Sequence, residues 1–168
     1  MANQWLSVLL ALITMTSGSL ARFSVDGMER SSAVTAATIQ PRTGAPGYSW
    51  LRIYFYPSPL SPPDRSAAAQ GRVDAIGAKW SAVLQLTLDS ASTVWQVDLS
   101  LPGHTCTIAE SDRAAKSALR KFEFDGARVR LVGTGSHVCD MKFIGVPNQT
   151  YAWDLDVDAP VARVSAAR

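Results

Sequence analysis

Alternating apolar and polar side chains run through much of this chain, and a period of two predicts β-strands. The segment 48–56 is the clearest case by composition. One of its faces is apolar and carries Leu51, Ile53 and Phe55. The other face carries aromatic rings and a guanidinium, those of Trp50, Arg52, Tyr54 and Tyr56. We therefore expect a strand whose apolar face points into a core.

The segment 151–157 repeats this pattern near the C-terminus. Its inward face consists of Tyr151, Trp153, Leu155 and Val157, and its outward face of Asp154, Asp156 and Asp158. Three carboxylates could bind Ca²⁺, but a rigid strand holds them about 7 Å apart, and Ca²⁺ takes about six or more oxygen ligands. A solvated face paired with Arg128 and Arg130 is the favoured interpretation. Residues 159–168 are expected to form a frayed tail.

Two hairpins are predicted between these segments. In the first, strands 80–88 and 95–101 flank a loop at 89–92, which sets Leu86 opposite Trp95 and Leu84 opposite Val97. In the second, strands 119–125 and 127–134 flank Asp125-Gly126, a strong two-residue turn signal, which sets Phe122 opposite Val129 and Phe124 opposite Ala127. Gly133 and Gly135 are expected to end the last of these strands.

One short helix is predicted at about 61–76. Ser61 can cap its N-terminus, Pro62 suits the first helical position, and Asp64 suits the positive end of the helix dipole. Gly71 weakens this helix and Gly77 can close it. A further strand at 31–39 and a helical turn at 112–117 are weaker candidates. The sum is about seven strands with one helix, which predicts a mainly β fold, an antiparallel β-sandwich or a small barrel.

The first 21 residues differ from the rest because they contain no Asp, Glu, Lys or Arg. Their apolar run, Trp5–Met15, is too short to span a bilayer, which takes about 20 residues. Ser19 and Ala21 are small residues at the two positions that a signal peptidase reads. We therefore predict a signal peptide at 1–21 and a single secreted or periplasmic domain at 22–158, with no stable membrane insertion after cleavage. A buried N-terminal helix or an uncleaved anchor is the alternative.

The chain of 168 residues carries 16 basic and 14 acidic residues, a net charge of +2. There is no basic run, so nucleic acid is not an expected partner.

Cys106 and Cys139 are the only cysteines, and each follows a histidine by two positions. In an exported protein a disulfide is the favoured interpretation, since two cysteines are expected to pair. It would stabilise the fold by about 3–4 kcal/mol in the chain-entropy model. The alternative is a copper or zinc site that uses His104, His137 and Met141, with the cysteines if they are reduced.

The aromatic face of Trp50, Arg52, Tyr54 and Tyr56 is the candidate partner-binding surface. Flat rings on a sheet face can stack on sugars or anchor a protein. Alternatively, the helix at 61–76 folds back and covers this face.

No catalytic motif is present. The sequence contains no Gly-x-Ser-x-Gly elbow, phosphate-binding loop, His-Glu-x-x-His or dinucleotide fingerprint. The favoured hypothesis is a non-catalytic exported module that binds a protein or a glycan and needs no cofactor. A metal-handling protein for copper or zinc and an enzyme without a readable motif are the two alternatives.

Overall fold

The computed structural model describes residues 19–164 except 33, 58, 78, 141–144 and 146. This part of the chain is mainly β. Its strands are β1 (Leu20–Val25), β2 (Met28–Ser32), β3 (Val34–Pro41), β4 (Ser49–Tyr56), β5 (Ala82–Leu88), β6 (Val94–Leu101), β7 (His104–Ala109), β8 (Lys121–Phe124), β9 (Arg128–Cys139) and β10 (Gln149–Arg163). Its helices are α1 (Pro62–Ala69), α2 (Val73–Ile76) and α3 (Asp112–Ala118). No described helix is long and apolar enough to cross a membrane.

The strands form two hydrogen-bonded layers that share β10. The first sheet has the order β2-β1-β10-β9-β8 and is antiparallel. The second sheet has the order β10-β3-β4-β5-β6-β7 and is antiparallel except for the short pairing of β10 with β3. Because β10 is 15 residues long, its first part belongs to the first sheet and its last three residues to the second. The sheets do not close into a barrel.

The inner faces of the two sheets enclose one hydrophobic core. Phe23 of β1 meets Phe55 of β4 edge to face, with ring centroids 4.9 Å apart. Leu51, Ile53 and Phe55 are fully buried, as the alternation in β4 predicted. The inward residues predicted for β10 are also buried: Tyr151, Trp153, Leu155 and Val157. The mainly β fold is therefore confirmed, with ten strands in the described part of the chain instead of about seven.

The predicted helix is present but broken in two. Ser61 caps α1, since its Oγ accepts the backbone N–H of Asp64 at 3.3 Å. Gly71 separates α1 from α2 and has φ +66°, a backbone conformation that L side chains rarely adopt. A Cβ at this position would lie 2.2 Å from Cβ of Ala162. The break therefore lets the helical segment pass close to the end of β10.

The register predicted for the first hairpin is wrong by two residues. Leu86 pairs with Val97 instead of Trp95, and the pairing shifts again between Thr87 and Leu88. One residue of the difference comes from a longer turn, in which the N–H of Asp89 donates to the carbonyl of Thr93 at 3.0 Å, and the other comes from the shift between Thr87 and Leu88. The extra residue at this irregularity changes which side chains of β6 face inward. Val94 becomes buried and Trp95 is 45% exposed.

The register of the second hairpin is also wrong by two residues. Phe124 pairs with Val129 instead of Ala127, because the turn is longer than two residues. The Asp125 carboxylate accepts the N–H groups of Ala127 at 2.8 Å and Arg128 at 2.7 Å, which holds this longer loop in place.

The glycines of β9 do not end the strand. Instead they give room to neighbours, since a Cβ at Gly135 would lie 2.6 Å from the Trp153 ring and one at Gly133 would lie 2.6 Å from the Ala118 carbonyl. The Trp153 indole N–H donates to that same carbonyl at 3.3 Å.

Both ends of the described chain differ from expectation. Two strands, β2 and β3, replace the single strand expected at 31–39. β1 begins at Leu20, so the predicted cleavage point after Ala21 lies inside a strand that pairs with β10. Residues 1–18, which hold the predicted signal segment, lie outside the described residues. Where a frayed tail was expected from Ala159, β10 continues to Arg163 and pairs with β3.

Candidate functional site

The outer face of β4 is divided into a covered end and an open end. Tyr56 is fully buried beneath the helical segment, in a second cluster formed with Ala36, Leu60, Ala67, Ala68 and Ile76. Its hydroxyl has no hydrogen-bond partner among the described residues, and burial raises its pKa. Tyr54 is half-buried against the same cluster. The helices therefore cover the Tyr56 end, as the alternative interpretation of this face expected, and Tyr56 is not available at the surface.

The Trp50 end remains partly exposed. The guanidinium carbon of Arg52 lies 4.9 Å from the centroid of the Trp50 ring, and that of Arg42 lies 5.9 Å from it. Both distances are in the range of cation–π contacts. Neither arginine is ion-paired with any residue that the structure describes. Two guanidinium groups thus lie beside one indole ring.

A hydrogen-bonded polar network continues from Arg52 across the second sheet. The Nε–H of Arg52 donates to Oε1 of Gln85 at 2.7 Å, and the Gln85 amide donates to Asp98 at 3.3 Å. Asp98 also accepts from Thr107 Oγ1 at 2.7 Å and from the Gln96 amide at 2.9 and 3.0 Å. Asp98 is only 5% exposed although its strand position faces outward. The neighbouring amides and hydroxyl replace the water that this carboxylate would otherwise bind.

Strand register explains this arrangement. Arg52 pairs with Gln85, Gln85 with Asp98 and Asp98 with Thr107, so these side chains form one row across four strands. Trp50 lies in the next row, which also contains Thr87 and Gln96. Adjacent strands lie about 4.8 Å apart, within the reach of long polar side chains. We call Arg42, Trp50, Arg52, Gln85 and Gln96 the Trp50 patch.

The predicted disulfide between Cys106 and Cys139 is formed. It joins β7 of the second sheet to β9 of the first, and the two Cα atoms are 5.9 Å apart. Both cysteines are buried in the core. The bond therefore ties β7, the last strand of the second sheet, to β9, the neighbour of β10 in the first sheet.

Of the predicted metal ligands, the structure brings only His137 to the cysteines. A ring nitrogen of His137 and the two sulfur atoms all lie within 4.8 Å of one another, and His137 is exposed. His104 begins β7 and is not part of this group. Met141 lies outside the described residues. In the described part of the chain this is the one group of three or more His, Cys, Asp or Glu residues that could hold a metal ion.

The three aspartates of β10 do not converge on a cation site among the described residues. Asp158 instead forms ion pairs with Arg128 and with Arg130, the latter at 3.5 Å. The hydrogen bond from Arg128 holds the pKa of Asp158 below its usual value, with smaller contributions from the charges of both arginines. The solvated, ion-paired face favoured for these residues is therefore what the structure contains at Asp158.

Comparison with protein-family models, with curated proteins and with solved structures found no match for this chain.

Sequence inspection missed the amide side chains of the Trp50 patch and the Asp98 carboxylate to which they donate. Gln85, Gln96 and Asp98 occupy outward strand positions, where polar residues are expected and carry no special signal. The presence of two glutamines, Gln85 and Gln96, near an aspartate was a usable signal, since amide side chains can donate to a carboxylate and exclude water from it. Arg42 was missed because it belongs to the loop before β4 and not to the strand pattern.

Proposed function

We propose that this protein is an exported, non-catalytic binding module that holds a glycan on the Trp50 patch. The single observation that carries the proposal is the partly exposed Trp50 ring flanked by the guanidinium groups of Arg42 and Arg52, at the edge of the Asp98 network.

The chemistry of the patch fits an acidic sugar. An indole ring packs against the C–H face of a sugar ring, and amide groups satisfy hydroxyl groups. A guanidinium pairs with a carboxylate through two parallel hydrogen bonds. Arg42 and Arg52 are free of ion pairs within the described chain, so the preferred glycan carries carboxylate groups.

A protein partner fits the patch less well. A stable protein interface buries about 800 Å² on each partner around an apolar centre. The Trp50 patch offers one aromatic ring among four polar side chains, because Tyr56 is buried beneath α1 and α2. Directed hydrogen bonds around one stacking ring suit a sugar better than an apolar protein surface.

Export is supported by the disulfide and by the uncharged, apolar N-terminal segment. Disulfides form and persist in oxidising compartments. The Cys106–Cys139 bond joins the two sheets and therefore belongs to the folded architecture.

Calorimetric titration with matched neutral and uronic-acid oligosaccharides tests the proposal. We expect binding of the acidic series, loss of binding in Trp50→Ala, and partial recovery in Trp50→Tyr, which retains a stacking ring. Arg52→Gln should weaken the acidic series selectively. Arg130→Gln, on the first sheet, is the matched control and should bind normally. Equal binding by wild type and Trp50→Ala, or no binding of any member of either series, would contradict the proposal.

A further inference from the structure

The side chain of His137 lies beside the Cys106–Cys139 disulfide at an accessible edge of the core. One ring nitrogen and the two sulfur atoms are mutually within 4.8 Å. The cysteines are 2% and 6% exposed, whereas His137 is exposed. Two buried sulfurs with one accessible imidazole form a soft ligand set with an entry path from solvent.

We infer that reduction of this disulfide opens a binding site for one d¹⁰ metal ion, Zn²⁺ or Cu⁺, with Cys106, Cys139 and His137 as its ligands. Zinc binds sulfur at about 2.3 Å and imidazole nitrogen at about 2.0–2.1 Å, so neighbouring ligand atoms in a tetrahedral site lie about 3.5–3.8 Å apart. The three ligand atoms already lie within 4.8 Å, and small side-chain rotations complete the site. Three protein ligands suit trigonal Cu⁺, or Zn²⁺ with water as its fourth ligand.

Each cysteine is held in its own sheet by a strand ladder. Cys106 lies on β7, which pairs with β6 through His104–Ala109, and Cys139 lies on β9, which pairs with β10 along twelve residue positions. The helix α3 packs against both β7 and β9, and the two Cα atoms are 5.9 Å apart. His137 is two residues before Cys139 on the same strand, so both side chains leave the strand on the same side.

The redox step is a thiol–disulfide exchange with a dithiol reductant. A thiolate of the reductant attacks one sulfur and displaces the other, and the second thiol of the reductant then closes its own disulfide. Two electrons and two protons pass to Cys106 and Cys139. The bound ion then displaces the two thiol protons into solvent. In the oxidised protein both sulfurs are held in the covalent bond, and His137 alone remains to bind an ion.

Metal titration of the full chain in both redox states tests this inference. The protein is reduced anaerobically with a phosphine, which becomes its oxide, and the reagent is removed. Zn²⁺ and Cu⁺ are then added in separate experiments and followed by native mass spectrometry. We expect one ion on each reduced chain and none on the oxidised chain. His137→Ala should weaken the affinity by about tenfold or more. His104→Ala, which alters the other His-x-Cys pair, is the matched control and should change nothing.

The outcomes separate the possibilities. Stoichiometric binding of either ion that depends on His137 supports the inference and identifies the metal. No binding by the reduced chain, or equal affinity in His137→Ala, overturns it. Near-ultraviolet circular dichroism follows the fold throughout. If reduction loosens the structure, adding the metal should restore the oxidised spectrum, and failure to do so also overturns the inference. Glycan binding by the Trp50 patch is measured on the oxidised protein, so the two proposals stand or fall separately.

Discussion

The outer faces of the two sheets carry polar residues in the same alternating pattern, yet they are built differently. On the first sheet, Asp154 and Asp156 are exposed and Asp158 pairs with arginines at the surface. On the second sheet, Asp98 is buried by the amides and hydroxyl that donate to it. The aspartates of the first sheet are accessible to water. On the second sheet, Asp98 accepts its hydrogen bonds from neighbouring side chains instead of water.

The difference comes from the residues that flank each carboxylate. The aspartates of the first sheet lie at the surface, where they stay hydrated, because burying a charge costs on the order of several kcal/mol unless hydrogen bonds replace the lost water. Asp98 has Gln85, Gln96 and Thr107 around it, and these neutral side chains supply such bonds. Three members of the Trp50 patch, Arg52, Gln85 and Gln96, belong to this hydrogen-bonded network.

The largest expected effect concerns the covered end of the second sheet. Tyr56→Ala should lower the free energy of unfolding by about 3–5 kcal/mol, as for other large aromatic side chains in cores. Tyr56→Phe should cost nothing or stabilise the protein, because the buried hydroxyl has no partner among the described residues. Urea denaturation measures both. A large loss in Tyr56→Phe would mean that the hydroxyl is hydrogen-bonded after all.

The next effect tests the comparison itself. Asp98→Ala should lower the free energy of unfolding by about 2–3 kcal/mol, because several half-buried amide and hydroxyl donors lose their shared acceptor at once. Asp156→Ala, the equivalent change on the first sheet, should stay within about 0.5 kcal/mol of wild type. Parallel urea titrations measure the free energy of unfolding of both variants. Equal losses of stability would show that Asp98 is no more dependent on its hydrogen bonds than Asp156.

A smaller effect on stability is expected at the open end of the second sheet. Trp50→Ala should reduce the free energy of unfolding by about 1 kcal/mol, since the ring is half-buried and its cation–π contacts are exposed. Thermal denaturation of this variant, measured beside its glycan titration, separates the contribution of Trp50 to stability from its contribution to glycan binding. A loss as large as that of Tyr56→Ala would assign Trp50 to the core.

The period-two pattern predicted the strands that bury one face, and it failed where loops set the register. The alternation was sufficient to predict the buried faces of β4 and β10, because each strand has an unbroken set of apolar residues on one side. The registers predicted for both hairpins were wrong by two residues because the loops that Asp89 and Asp125 hold are longer than predicted. In the first hairpin the shift between Thr87 and Leu88 adds to the error. Such side-chain-to-backbone bonds depend on geometry that residue periodicity does not contain.

The hairpin of β1 and β2 had a signal in the sequence. Asp26-Gly27 is a two-residue turn signal, and both residues have positive φ in the hairpin of β1 and β2. The strand before this turn was not predicted, because the end of the predicted signal peptide at Ala21 divides β1. Ser19 and Ala21 are buried, and Ser19 Oγ exchanges hydrogen bonds with the backbone of Asp158. Cleavage after Ala21 would remove these contacts, so the intact mass of the purified protein shows whether β1 is kept whole.

The Trp50 patch was only half predictable for a related reason. Trp50 and Arg52 stand out in the strand composition, whereas Asp98 becomes a buried acceptor only when β4, β5, β6 and β7 align one row of side chains. The cysteine pairing followed from their number, while the choice of His137 over His104 required the contact between β7 and β9.

The smallest expected effect is the pH dependence of the ion pair on the first sheet. The pKa of Asp158 is lowered in the folded protein, so its contribution to stability is complete above the unfolded pKa of about 3.9 and is lost as the pH falls through the lower folded value. Arg128→Ala should therefore reduce stability slightly at neutral pH, and the difference from wild type should vanish in acid.

The substitution keeps the backbone N–H that donates to Asp125, so the loop is preserved. Arg113→Ala, an exposed arginine on α3, is the control and should show no such convergence. A stability difference between Arg128→Ala and wild type that persists unchanged into acid would mean that Arg128 acts through packing. The outer face of the first sheet would then depend less on surface charge than its ion pairs suggest.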